Sequence, residues 1–169
     1  MKKNSGFTLL ELVVTVALIA IAVSIAVPSM STFTQNDRLT TNINTLVGHL
    51  AYARSEAVKL NQQVSVCVSN NTASCTAGNW QDGWIVYIDA DASNTFTAGE
   101  QVLRAQQALD GNNTITTAIG SQITYDYRGF ATAGSVGALL LCDARSGNFG
   151  KTIRISTTGR VRLEDDSAC

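Results

Sequence analysis

Residues Phe7 to Val27 form a nearly unbroken apolar run, and between Leu12 and Val27 only Thr15 and Ser24 interrupt it. No other feature constrains the chain as strongly, because so much continuous apolar surface belongs in lipid or in a bundle of similar helices. A helix from Phe7 to Met30 would span about 35 Å, enough to cross a bilayer. Lys2 and Lys3 precede the run and place its start on the cytoplasmic side, with the rest of the chain outside. Glu11 does not fit. A carboxylate in hydrocarbon costs on the order of a few kcal/mol and needs a partner. Ala22, Ser24 and Ala26 also leave open a cleavable secretory signal, which would be cut after its apolar core.

Beyond Pro28 the chain is polar and rich in Thr, Ser, Asn and Gly, as in a β-rich domain with many turns. Helical periodicity nevertheless continues first. Leu39, Ile43, Leu46, Leu50, Ala53, Ala57 and Leu60 recur in alternating steps of four and three, so they share one helix face. The pattern predicts one helix from Phe7 to about Leu60, about 80 Å long if continuous, bent or loosened at Pro28, with its second half packed on a sheet. Seven strands follow, at Gln63–Val68, Gly83–Asp89, Thr114–Ile119, Gln122–Tyr127, Val136–Cys142, Thr152–Ser156 and Arg160–Leu163. The expected class is α+β, with one long helix on an antiparallel head.

The four cysteines, Cys67, Cys75, Cys142 and Cys169, include no C-x-x-C pair, and the single histidine, His49, is distant from them, which argues against zinc. In an exported domain two disulfides are expected. Cys67–Cys75 and Cys142–Cys169 are favoured among the three pairings because each closes a local loop; free buried thiols are the alternative. With no histidine–nucleophile pair and no phosphate-binding glycine loop, an enzyme is not expected, and neither is a cofactor. His49 reads as a surface residue of the helix, and Trp80 and Trp84 as core and loop anchors.

The string Lys-Lys-Asn-Ser-Gly followed by Phe-Thr-Leu-Leu-Glu-Leu resembles the class III signal of type IV pilins and type II secretion pseudopilins. The resemblance implies that a membrane peptidase cuts after Gly6, that the new N-terminus at Phe7 is N-methylated, and that the apolar helix is retained. It also places Glu11 and the helix-kinking Pro28 at family positions. Cleavage creates a positive amine on Phe7, and in a stacked filament a neighbour's amine would meet Glu11; a carboxylate snorkelling to the interface is the simpler alternative. "YARSEAV" (Tyr52 to Val58) and "NWQDGWIVYIDAD" (Asn79 to Asp91) resemble the GspH/FimT subgroup of minor pilins and pseudopilins. The type IV pilin fold is then implied, divided into a leader at 1–6, a membrane and filament-core helix at 7–30, an amphipathic helix at 31–60 and a β-rich head at 61–169.

Two stretches carry possible binding chemistry. In "DADASNTFTAGE", Asp89, Asp91, Ser93, Thr95, Thr97 and Glu100 fall at the ligand positions of an EF-hand-like loop. Asn94 stands where glycine is usual and a strand precedes, so a hairpin loop with solvated acids is favoured and no metal is assigned. From Arg145 to Arg162 there are five basic residues, Arg145, Lys151, Arg154, Arg160 and Arg162, and no acid. Folded as a hairpin turning at Thr157–Gly159, this segment puts Ile153, Ile155, Val161 and Leu163 on one side. Thr152, Arg154, Arg160 and Arg162 share the other, with Lys151 at its end. Such a face suits phosphate contact with little base preference. "GRVR" (Gly159 to Arg162) also resembles the G-R-x-R motif of FimT-type minor pilins that bind DNA in natural transformation.

Formal net charge is only −1, so any case for DNA is local. Glu164, Asp165 and Asp166 follow at once and would repel DNA or pair with the arginines. The expected function is a minor pilin at or near a pilus tip, binding double-stranded DNA through Lys151, Arg154, Arg160 and Arg162. The alternatives are a FimU-like subunit that primes assembly without DNA, and a GspH-like pseudopilin of type II secretion. The resemblance implies other minor pilins, the major pilin and the prepilin peptidase as partners. It implies a single inner-membrane span with a cytoplasmic N-terminus before assembly, and a place in the surface pilus afterwards.

Overall fold

The computed structural model describes residues 7–169. Lys2, Lys3 and Gly6, with the expected cleavage point, lie outside the described residues. The described residues form one long helix, α1 (Leu9–Leu60), followed by eight strands. The chain divides into two compact units, residues 1–36 and residues 37–169.

In the first unit, the backbone N–H of Glu11 donates to the Thr8 hydroxyl at 3.2 Å, satisfying one of the open donors of the helix start. Helix continues through Pro28, whose ring removes one backbone donor. The Thr32 hydroxyl donates to the Pro28 carbonyl at 3.3 Å. Apolar side chains from Phe7 to Phe33 stand exposed, and α1 is long and apolar enough to cross a membrane.

In the second unit the helix face read from the sequence is the buried face. Leu39, Ile43, Leu46, Leu50, Ala53 and Ala57 are buried, while Leu60, at the helix end, is 38% exposed. Beneath this face lie two antiparallel sheets of four strands. One has the order β3 (Val102–Gln106), β2 (Trp84–Asp89), β1 (Gln63–Val68), β5 (Gln122–Tyr125). The other has the order β4 (Thr114–Thr117), β6 (Gly137–Cys142), β7 (Gly150–Ile155), β8 (Val161–Ser167). Val64, Val66, Trp84, Val86, Ile123, Leu139, Leu141 and Ile153 join the helix residues in one core. That core begins at Leu39 and lies wholly within the second unit, which therefore carries its own folding energy.

Strand β1 is covered on both faces. Its Cys67 joins Ile85 and Tyr87 in a second cluster, closed over by Cys75, Phe96 and Val102. Disulfides link Cys67 to Cys75 and Cys142 to Cys169, the local pairing. The second bridge spans β7 from β6 to the C-terminus, passing over Gly150, where a Cβ would sit 2.6 Å from Cys169 Sγ. Only glycine leaves room for that crossing. Strand β3 has no counterpart among the seven expected strands, and β8 runs four residues beyond the expected end at Leu163.

Candidate nucleic-acid interface

Strands β7 and β8 form the hairpin expected at the C-terminal end, and β8 is an edge of its sheet. The register pairs Ile153 with Leu163, Arg154 with Arg162 and Ile155 with Val161. Ile153 and Ile155 are buried, whereas Leu163 is 40% exposed. Arg154, Arg160 and Arg162 are exposed. The turn is pinned: Gly159 N–H donates to Ser156 O at 2.9 Å and Ser156 N–H to Arg160 O at 3.0 Å. Gly159 has φ +74°, a left-handed conformation that glycine adopts without strain.

The acids that follow fold back onto the basic face. Arg154 Nε lies 2.8 Å from Glu164. Lys151, expected at the end of the arginine row, is instead paired with Asp165. The register slips between Gly150 and Thr152, and alternation puts Lys151 on the Ile153 face rather than with Arg154. Arg145 is paired with Asp143 and stacks over Phe149 at 4.2 Å. Burial pushes the Asp143 carboxyl up, but hydrogen bonds and charge from Arg145 outweigh it and hold the group below the usual carboxylate range. Three of the five cations thus have acidic partners. Arg160 and Arg162 make no ion pair among the described residues. The side chain of Asp166 lies outside what the structure describes.

Partnership does not remove Arg154 from play. Its side chain is 59% exposed and that of Glu164 47%, and an exposed pair contributes under about 1 kcal/mol. A phosphate can compete with Glu164 for that guanidinium.

The hairpin tip leans on the loop after β5. Ala131 N–H donates to Thr157 O at 3.2 Å. Arg54, from α1, donates through Nε to Gly129 O at 2.9 Å. Gly159 packs against that same Gly129 carbonyl so closely that a Cβ would collide with it. A groove of about 550 Å³ runs beside the tip, floored by Val47, Ala51, Val58 and Val161 and flanked by Arg54 and Arg160.

The acidic loop after β2 converges as its spacing suggests. One oxygen each from Asp89, Asp91 and Glu100 lie within 4.8 Å of one another. The loop also uses these groups internally. Asp89 accepts N–H bonds from Ser93 and Asn94 at 3.0 Å each, and Glu100 accepts from Ala90 at 3.2 Å and Thr97 at 2.8 Å. The carboxylates therefore hold the loop closed as acceptors.

His49 is not a surface residue. It is half-buried, and its Nδ1 accepts the Trp84 indole N–H at 2.9 Å. Burial first, then the nearby Arg104 charge, lower its pKa. Trp84 is fully buried, and Trp80 is buried with its indole donating to Gly120 O at 3.1 Å. No residue spacing signals the His49–Trp84 bond, because the partners lie on different elements.

The sequence profile of the type II transport protein GspH family matches residues 42–159, and that of the prokaryotic N-terminal methylation motif matches residues 1–27. No curated protein matches the sequence. Among solved structures, the type IV minor pilin FimU of Pseudomonas aeruginosa is similar at 21% identity and TM-score 0.62, covering 81% of this chain and 96% of its own. The minor pseudopilin EpsH from the type 2 secretion system of Vibrio cholerae is similar at 13% identity and TM-score 0.55, covering 76% of this chain and 97% of its own. With one N-terminal helix on antiparallel sheets, the chain has the type IV pilin fold; it carries the methylation motif over its first residues and belongs to the GspH family.

Proposed function

We propose that the chain is a minor subunit of a type IV pilus, set at or near the tip, that binds DNA without sequence preference during uptake. The observation that carries the DNA part is the exposure of Arg160 and Arg162, without acidic partners among the described residues, on a pinned hairpin at a sheet edge. Guanidinium groups suit phosphate oxygens, and a rigid turn presents them at little cost in ordering. Arg154 joins them when phosphate displaces Glu164; Lys151, held by Asp165, contributes least. Few charges make the binding weak and steeply salt-dependent.

The N-terminal part of the proposal follows the methylation motif. Peptidase cleavage after Gly6 frees and permits methylation of the Phe7 amine. Before assembly the apolar helix anchors the subunit in the inner membrane, N-terminus in the cytoplasm. In the filament Glu11 receives a neighbouring subunit's amine, and Pro28 adapts the helix to the bundle.

A second reading is favoured by the pairing of Lys151 and Arg154 with Asp165 and Glu164. On that reading the charged edge strand blocks unwanted strand pairing, and the subunit is purely structural, in a pilus or a type II secretion pseudopilus. A gel shift with the head from Thr32 onward separates the two: salt-sensitive retardation supports the first, and none at low salt supports the second.

A further inference from the structure

We propose that the loop Asp126–Phe130, beside the hairpin tip, is a stacking platform for single-stranded DNA. Tyr127 and Phe130 take unpaired bases while Arg160 and Arg162 hold the phosphates. This rests on the DNA-binding reading above and extends it to a preferred form of the ligand.

Trp80, Trp84, Tyr87 and Tyr125 of the head are all buried, yet Tyr127 is 53% and Phe130 47% exposed. Both rings stand on one five-residue loop with Arg128 between them in sequence, its guanidinium 5.4 Å from the Tyr127 centroid and 5.5 Å from that of Phe130.

The backbone that carries those rings is fixed. Asp126 accepts the N–H groups of Arg128 and Phe130 at 2.9 Å each, and its own N–H donates to Phe130 O at 2.9 Å. Gly129, at φ +81°, closes the turn by donating to Asp126 O at 2.8 Å. The bond from Ala131 to Thr157 O ties it to the hairpin tip, and that from Arg54 to Gly129 O ties it to α1. A backbone fixed this way spares the cost of ordering the loop on binding.

Charge is divided between the two parts. Arg128 is ion-paired with Asp126 at 2.8 Å, so the loop offers stacking surface with a balanced charge. Arg160, next to Gly159 at the contact with this loop, and Arg162 supply the net positive charge. Aromatic rings beside a basic track are the arrangement that binds single strands, where bases are free to leave their neighbours. In a duplex the bases are stacked inside and cannot reach the rings, so duplex binding depends on the arginines alone.

The test uses the full-length protein in a non-ionic detergent, with fluorescence anisotropy of a labelled oligothymidine and of a duplex of equal length. Replacing both Tyr127 and Phe130 by Ala is expected to weaken single-strand binding about tenfold or more and duplex binding less than about twofold. Tyr127→Phe should bind as the wild type does. Phe130→Leu, which keeps apolar bulk at an exposed site, carries the same test should the double variant fold poorly, and is expected to lose single-strand affinity selectively. Unchanged single-strand binding in these variants, while Arg160→Gln with Arg162→Gln weakens both forms, overturns the platform and leaves the arginine site standing. Unchanged binding with lost incorporation into filaments also overturns it, and assigns the rings to contact with a neighbouring subunit. Failure of the wild type to bind either form removes the platform and the DNA reading together.

Discussion

Arg154 and Arg162 face each other directly across the β7–β8 ladder, on an exposed edge hairpin. Like charges opposite one another destabilise a strand pair, and Glu164, 2.8 Å from Arg154, offsets the repulsion. Glu164→Gln should leave the fold within about 1 kcal/mol of the parent, because the pair is exposed. It should also raise DNA affinity several-fold at low salt and steepen the salt dependence by about one phosphate contact. Anisotropy titrations at several salt concentrations read both effects. Unchanged affinity would mean that Arg154 takes no part.

The Cys142–Cys169 bridge fastens the chain end that carries β8 to β6, across β7. Its sequence separation of 27 residues gives a loop-closure contribution of about 3 to 4 kcal/mol. Replacing both cysteines by Ser should lower stability by about that amount in urea unfolding of the head, and weaken DNA binding through the loosened hairpin. An unshifted urea midpoint would show that β8 is secured by its ladder alone.

The His49–Trp84 bond makes head stability depend on pH. Nδ1 accepts the indole N–H only while the ring is neutral there, and the folded-state pKa is lowered from the usual 6.5. Below about 6.5 the unfolded chain therefore binds more protons than the native one. Stability should fall as pH drops through that window and recover as pH rises. His49→Gln keeps an acceptor but cannot titrate, so it should flatten the dependence of Tm between about pH 5 and 7. An identical pH profile in the variant would contradict this role.

Glu11→Ala should be processed at Gly6 nearly as well as the parent, because the carboxylate is assigned a partner only in the filament. Incorporation into sheared filaments, followed by immunoblot, should fall severely. Normal incorporation would remove the contact between Glu11 and a neighbour's Phe7 amine.

Local periodicity makes much of this fold legible. The helix face from Leu39 to Ala57 and β1 at Gln63–Val68 follow from residue spacing alone. Strand β3 is hidden because "VLRAQ" is an edge strand with no buried residue, and it is a strand only through pairing with β2. The extension of β8 is hidden because Glu164 and Asp165 look like loop residues until a partner strand offers Arg154 and Lys151 to receive them. Lys151 leaves its expected place because β7 begins at Gly150 rather than Thr152, so Lys151 lies inside the strand and alternation sets it on the face opposite Arg154. The spacing of Asp89, Asp91 and Glu100 does signal convergence, since Asp89 closes β2 and the other two lie on the loop that follows it.

Whether Arg160 and Arg162 bind DNA phosphates is decided by a salt titration of head–DNA affinity. The wild-type head should lose about tenfold or more in affinity over a modest rise in salt. Arg160→Gln with Arg162→Gln should bind far more weakly at low salt, with a slope shallower by about two phosphate contacts. A double variant that binds as tightly as the wild type, with the same salt slope, would mean that these two arginines do not hold the DNA.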